Sequence, residues 1–495
     1  MLFVPPRLGP GAIYLRALDD FFRANVDLIK VAEVEPQMLC TKGTAEHAQP
    51  RGSARERGHL RTLPQRILTH GVGNPIGGSI CDHVHHVPEF RAWNAELASP
   101  WTSEHLSILH VRGVRGPEVC GFLMPPLQTD LAVKLAAKNI RERAAALNLP
   151  FAFETGVNYF ALREGEMPDG DFFAAVAEEA DCGILLDLAN LWINQKNGRT
   201  KVADVVSRLP PERVWEVHLA GGELERGFWV DAHSGGIDPD LIELARDIVP
   251  ELPNVGAIIF ELASDRVSLF GAQAYLEEME TVNRLWERVP RPADVATRRP
   301  GLARAVSSRL VPTPEVWEEV LARQMLPPWA QHTNSGASFP FAPSDEQRFA
   351  LYIHLAASFR TGAIAELLPY TVRLLLIAIG RSALTSYLDR YITVTPPAAF
   401  PTDEVLRFCR FVESNPLCVP GLDELLKFEA ILIKAAADSA TIQAFFTKNI
   451  DVMLSELTAG IVPGPSSDMP PTMLEIGVNP VPFIRAVEPE RKAEA

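Results

Sequence analysis

Between residues 11 and 290 the chain alternates short, continuous apolar runs with longer stretches of helical spacing. Val26–Val34 is a β-branched run, Pro150–Glu154 a short strand after a helix ending at Ala144–Leu149, and Gly183–Asp187 (GILLD) an unbroken apolar strand. Val214–His218 (VWEVH) and Ala257–Glu261 (AIIFE) repeat that pattern, with helical spacing over Phe172–Ala180, Val202–Leu209 and Leu241–Val249 between them. Strands that do not alternate apolar with polar positions are buried on both faces, as in parallel sheets built from βα units. Some 280 residues of such units, with polar side chains at the strand C-termini, predict an α/β fold, a (β/α)8 TIM barrel with its site on the C-terminal face. A doubly wound open sheet fits less well, because no Gly-rich phosphate turn follows the first strand.

Gln273–Arg288 has the spacing of a closing helix, and Pro290–Gly301 (PRPADVATRRPG) reads as a linker. Helical spacing then recurs over Pro314–Gln324, Asp345–Phe359, Ala363–Ile379, Thr402–Glu413, Leu422–Ala437 and Ala440–Leu457. The expected organisation is a barrel over 11–290, a linker over 291–302, a mostly α-helical C-terminal domain over 303–480 and a mobile tail over 481–495. Pro463–Pro471 is also expected to be mobile.

Composition narrows the function classes. A formal charge of −15 weighs against nucleic acid as a partner. The six cysteines form no C-x-x-C pair, so neither a thiolate zinc site nor a disulfide framework is indicated. Met1 to Gly11 lacks the charged and apolar regions of a secretion signal, and apolar runs such as Leu374–Ile379 are too short to span a bilayer. A cytoplasmic protein with no membrane partner is expected.

The candidate chemistry lies in His70, His105, Glu154, Asp187, Asn190, His218, Asp231, His233 and Glu261. Most of these close or open an apolar run, where a strand hands over to a loop. A carboxylate at the end of a buried strand costs several kcal/mol unless it is paired or metal-bound. His nitrogens and carboxylate oxygens hold divalent metals with open positions, so the set reads as a multinuclear metal centre. The tract His83-Val84-His85-His86 reads better as a polar turn or helix start than as a second centre. Glu104 and Asn158 are further candidates near the site.

The segments HGVG (70–73), SEHLS (103–107), LMPPLQT (123–129), FETGVNYF (153–160), LLDLANLWIN (185–194), VHLAGG (217–222), DAH (231–233) and FEL (260–262) resemble the multinuclear non-haem iron-dependent oxidases, a family related in fold to xylose isomerases and apurinic endonucleases. The resemblance implies one iron on His70, His105 and Glu154, and a second on Glu154, Asp187, His218 and Glu261, with Glu154 bridging. Asn190, Asp231 and His233 would form a third, weaker site, because Asn is a poorer ligand than the His of the endonuclease-like relatives. Glu154, Asp231 and His233 would be catalytic as well as ligating, with two or three Fe(II)/Fe(III) ions as cofactor and dioxygen as co-substrate. Lys30 stands at a strand position where many members are acidic.

The resemblance further implies oxidative modification of a ribosomally made precursor peptide, most often at cysteine, with thiolate and dioxygen brought together on adjacent ions. Pro401–Val412 and Val419–Leu432 are similar to helical segments of the family's separate peptide-binding partners, so the C-terminal domain would hold the leader. The alternative for that region is a generic extension that stabilises the barrel or a homodimer. The alternatives for the whole chain are a zinc- or manganese-dependent hydrolase, endonuclease or isomerase on the same barrel, and a non-enzymatic metal- or peptide-binding protein.

Overall fold

A computed structural model describes residues 3–42, 50–52, 54–81, 83–113, 116–290, 312–326, 343–438, 440–478 and 482–486. Its contacts divide the chain into two units: 1–38 with 57–354, and 39–56 with 355–495.

The first unit is built on eight strands: β1 (Gly9–Ile13), β2 (Val31–Val34), β3 (Arg66–Gly71), β4 (Thr102–His105), β5 (Phe151–Glu154), β6 (Gly183–Asp187), β7 (Val214–Ala220) and β8 (Ala257–Glu261). Each pairs in parallel with its sequence neighbours, and β1 pairs with β8, closing the TIM barrel. β1, β2 and β5 to β8 are buried along their whole length, which is why their sequences show no alternation. Residues 26–28 of the apolar run before β2 form a turn, and 29–30 lead from it into the strand.

Register aligns the polar strand ends. His70 lies beside Ser103, His105 beside Glu154 and Asp187 beside His218. Below them Val31, Leu68, Trp101, Ala152, Trp215, Ala257 and Ile259 fill the barrel, with Phe3 and Leu8 packed against them. Gly183 has no side chain for a reason: a Cβ there would lie 2.2 Å from the Trp215 ring. The helix Asp130–Leu147 starts at Thr129, whose hydroxyl accepts from Ala132 N, and ends at Asn148 in the left-handed conformation.

The linker expected at 291–302 lies outside the described residues. Beyond it, α1 (Pro314–Met325) and residues 343–354 of α2 (Pro343–Leu367) belong to the barrel unit. Trp317 is buried and its indole N–H donates to Pro125 O at 2.9 Å. Phe160 packs against Trp317, Phe349 and Tyr352, with ring centroids 4.9–5.6 Å apart.

The second unit holds the rest of α2, then α3 (Pro369–Val394), α4 (Pro401–Ser414), α5 (Leu422–Asp438) and α6 (Ile450–Thr458). The helical stretch expected over Ala363–Ile379 is broken at Leu368, because Pro369 opens a new helix. Residues 440–457 are not helical throughout. Ile442–Lys448 forms β9, which pairs antiparallel with β10 (Asp468–Val478), itself paired with β11 (Pro482–Ala486). Pro463–Pro471 and residues 482–486 of the expected tail lie in or beside this sheet, while Glu488–Ala495 lies outside the described residues. The helices and sheet share a core that includes Leu374, Leu384, Phe408, Leu425, Phe446 and Ile476. Among the described residues α3 alone is long and apolar enough to cross a membrane. Gly380, at φ +78°, splits it into 369–379 and 381–394, each shorter than the roughly 20 residues a span needs.

Candidate metal centre

Glu154 is the hub. Its Oε2 lies 3.1 Å from Nε2 of His70 and 3.1 Å from Nε2 of His105. The outer nitrogen of each imidazole is already engaged: His70 Nδ1 with Ser103 Oγ at 2.8 Å, and His105 Nδ1 with Gly71 O at 3.0 Å. A carbonyl only accepts, so His105 carries its proton on Nδ1 and, when neutral, turns a bare Nε2 toward Glu154. His70, His105 and Glu154 thus form one group able to grip a cation.

Glu154, Asp187 and His218 form a second group. Asp187 ends β6 and also caps the next helix, Leu188–Lys196, by accepting from Asn190 N at 2.8 Å. That cap fixes Asn190 in the first helical turn, where its amide donates to Asp187 Oδ2 at 2.7 Å and Glu154 Oε1 at 3.2 Å. His218 sits between two carboxylates, with Nδ1 3.3 Å from Glu261 Oε1 and Nε2 3.0 Å from Glu33 Oε2. On the rim, His233 Nε2 lies 3.1 Å from Asp231 Oδ1 and 3.4 Å from Glu261 Oε2.

All nine sequence-expected residues are therefore gathered at the C-terminal end of the barrel, with Asn190 turned to Asp187 and Glu154 through its amide. Two acidic residues were missed. Glu33, on β2, forms a third group with His218 and Glu261, and Glu35 is close enough to His70, Glu261 and His233 for their charges to act on it. The signal was VAEVE, two carboxylates spaced by two, one inside the strand and one just beyond it. Lys30, considered instead, points outward and pairs with Asp27 at 3.5 Å. Glu104 and Asn158 serve the scaffold. Glu104 accepts from His105 N at 3.0 Å and Asn74 N at 3.2 Å, and Asn158 accepts from Phe160 N at 3.0 Å. A Cβ at Gly71 would fall 2.5 Å from Glu104 Oε2, so the HGVG turn needs its first glycine. His83–His86 open the helix His83–Leu97; their side chains lie outside the description.

The electrostatics favour added positive charge, as protons on the imidazoles or as metal ions in their place. Burial alone would lower every imidazole here, yet facing carboxylates outweigh it. Glu154 raises His70; Glu154 and Glu104 hold His105 up to about 10; Glu261 and Glu33 raise His218 well above its usual range; Asp231 and Glu261 do the same for His233. Burial pushes Glu33 up to about 7 and Asp187 well above the carboxylate range. Glu154 and Glu261 resist the same burial because His105 and His70, and His218 and His233, pull them down, Glu261 to about 2. Several buried atoms make no directed hydrogen bond: both Glu33 oxygens, Glu154 Oε2, Asn190 Oδ1, both His218 nitrogens and Asp231 Oδ1. Polar atoms buried in this way are normally satisfied. These are atoms of types that can ligate metals, and the residues fit a cluster of two or more divalent cations with open positions.

Among solved structures the chain is similar to D-psicose 3-epimerase from Clostridium cellulolyticum H10, at 7% identity and a TM-score of 0.36, covering 57% of this chain and 96% of that one. At that level the likeness carries no functional weight. The chain is 30% identical over 183 residues to a UPF0276 protein of Chromobacterium violaceum, covering 37% of this chain and 65% of the relative. It is 30% identical over 224 residues to a UPF0276 protein of Shewanella loihica, covering 45% and 76%. Against a UPF0276 protein of Streptomyces avermitilis, at 25% identity over 236 residues, it covers 47% of this chain and 48% of the relative. The chain thus spans about half to three quarters of the length of these relatives. Residues 18–286, more than half of the chain and the span that carries the centre, match the family described as RiPP precursor modification enzyme MbnB/TglH/ChrH, and the chain belongs to that family.

Proposed function

We propose that this chain is a dioxygen-dependent, multinuclear non-haem iron enzyme that oxidises a ribosomally made precursor peptide at cysteine in the cytoplasm. The observation that carries the reading is Glu154, a single buried carboxylate shared between the His70–His105 group and the Asp187–His218 group. A carboxylate so placed can bridge two cations. His70, His105 and Glu154 would hold one; Glu154, Asp187, His218 and Glu261 the next; Asn190, Asp231 and His233 a third. Iron bound there would supply an acidified thiol site and one-electron chemistry toward dioxygen.

The chain's own residues supply the order. Ser103 and the Gly71 carbonyl fix the imidazoles of His70 and His105 from behind. Asn190 holds Glu154 and Asp187 by its amide, so neither carboxylate swings when a ligand exchanges. Glu33 steadies His218 from within the barrel. Preorganised ligands with open positions let substrate and co-substrate meet without the cost of a bimolecular encounter. The C-terminal region would hold the leader of the peptide and raise its effective concentration at the centre.

Metal analysis and Mössbauer and EPR spectroscopy on protein purified without oxygen from iron-supplemented cells test this reading. Two or three irons per chain, with a mixed-valence signal that a thiol peptide perturbs, are expected. Stoichiometric zinc, with no iron signal and no dioxygen uptake, would move the reading to the hydrolase or isomerase alternative, which uses the same ligands.

A further inference from the structure

We infer that α2, a helix beyond the stretch that matches the family, positions Asp231 through Tyr352 and Tyr159 and so sets the occupancy of the cation position built on Asn190, Asp231 and His233. The inference rests on the metal-centre reading above.

Asp231 ends the strand Phe228–Asp231 of a hairpin whose other strand is Gly222–Glu225. Its backbone N–H donates to Tyr159 Oη at 3.2 Å, and the Tyr159 N–H donates to Tyr352 Oη at 3.2 Å. Both tyrosines are fully buried, with ring centroids 5.1 Å apart. A two-step hydrogen-bonded path therefore runs from the helix to the residue that would hold the ion.

The same helix grips the hairpin elsewhere. His354 pairs with Glu225, and the Arg348 guanidinium lies 5.9 Å over the Phe228 ring. Asp345, Phe349 and Tyr352 form one stripe at helical spacing. Asp345 lies 3.6 Å from Arg163, and Phe349 and Tyr352 pack on Phe160. Tyr159 and Phe160 belong to the loop that follows Glu154, so α2 braces the hairpin and that loop together.

The brace matters most at this position because the rim is the least buried part of the centre. The side chains of Asp231 and His233 are 21% and 28% exposed, against 5% or less for Glu154, His218 and Glu261. His233 also sits at φ +45°, a left-handed conformation that lasts only where surroundings enforce it. Its carbonyl accepts from Ala263 N at 2.9 Å, which anchors one end of the turn. Tyr159 anchors the other.

The test is anaerobic Fe(II) titration of the full chain, with bound iron per chain and stepwise affinities read for wild type, Tyr352→Phe, Tyr159→Phe and His354→Gln. Wild type should bind three ions. Each tyrosine variant should keep the first two at unchanged affinity and bind the third at least tenfold more weakly, with His354→Gln shifting in the same direction. His354 is partly exposed, so that variant keeps the test alive if a tyrosine variant fails to fold. A general loss of structure would weaken all three ions together, and that result would overturn the inference. So would three ions of unchanged affinity in the variants. Wild type binding two ions would overturn it and leave the bridged centre intact; wild type binding none would overturn the metal-centre reading itself.

Discussion

Glu33 and His218 meet inside the barrel, carboxylate Oε2 to imidazole Nε2 at 3.0 Å, with neither residue exposed to solvent. The other face of the same imidazole, Nδ1, is turned to Glu261 at 3.3 Å. A carboxylate behind a ligating histidine fixes its tautomer and raises its basicity. Trp101 extends the arrangement downward, donating to Glu216 Oε2 at 3.0 Å, two residues before His218 on the same strand.

Replacing Glu33 should therefore loosen the centre without removing one of the nine sequence-expected ligands. Glu33→Ala is expected to weaken metal binding roughly 10- to 100-fold, and Glu33→Gln, which keeps a carbonyl acceptor, to recover most of it. Competition with a chromophoric chelator measures this. Unchanged affinity in Glu33→Ala would remove Glu33 from the centre.

Glu154 serves two groups and His70 one. Glu154→Ala should lose more metal than His70→Ala, and both should abolish peptide modification. Elemental analysis of the purified variants decides it; full metal content in Glu154→Ala would end the bridging assignment.

In the metal-free protein the cluster should make stability depend on pH. His105 is held up to about 10 in the folded state, against 6.5 ordinarily. Its stabilising contribution is complete below 6.5 and is lost as pH rises through about 10. Glu33, raised from 4.5 to about 7, acts in the same direction over that lower window. Glu261, lowered to about 2, acts oppositely, its contribution fading as pH falls from 4.5. The thermal midpoint of the apoprotein should fall between pH 6.5 and 10, and bound metal should flatten that slope by taking the place of the protons. Scanning fluorimetry with and without metal would show it, and a flat apoprotein profile would count against the electrostatic account.

Trp317 lies in the C-terminal part of the sequence yet is buried in the barrel unit, against Phe160 and the Pro125 carbonyl. Trp317→Ala should cost about 3–5 kcal/mol. Glu318, next to it, is 2% exposed and accepts from Ser79 N at 2.5 Å, in the loop that follows His70. Chemical denaturation followed by a barrel-specific signal, such as bound metal, measures the loss. No change would return α1 to the second unit.

The barrel and its site were readable in the chain for one reason. A parallel strand buried on both faces leaves an unbroken apolar run, and the polar residue that ends it marks both the strand's C-terminus and the mouth of the barrel. FAFE, ILLD and IIFE each carry a ligand candidate in that way. Glu33 escaped because it precedes the strand end, where a carboxylate is tolerable only with a partner across the barrel. That partner, His218, is 185 residues away. The segment IQAFFTK suits a helix or a strand by composition, and only its pairing with Asp468–Val478 made it β9.

The sequence by itself determined the parallel barrel class, the ends of β5, β6 and β8 and the chemistry of the nine side chains, since each is written in local periodicity and residue type. Tertiary structure alone decided that Glu33 joins the centre, that residues 314–325 and 343–354 belong with the barrel, and that Tyr352 reaches Asp231 through Tyr159. Those relationships depend on contacts between segments far apart in the chain, and a short-range pattern does not show which segments meet.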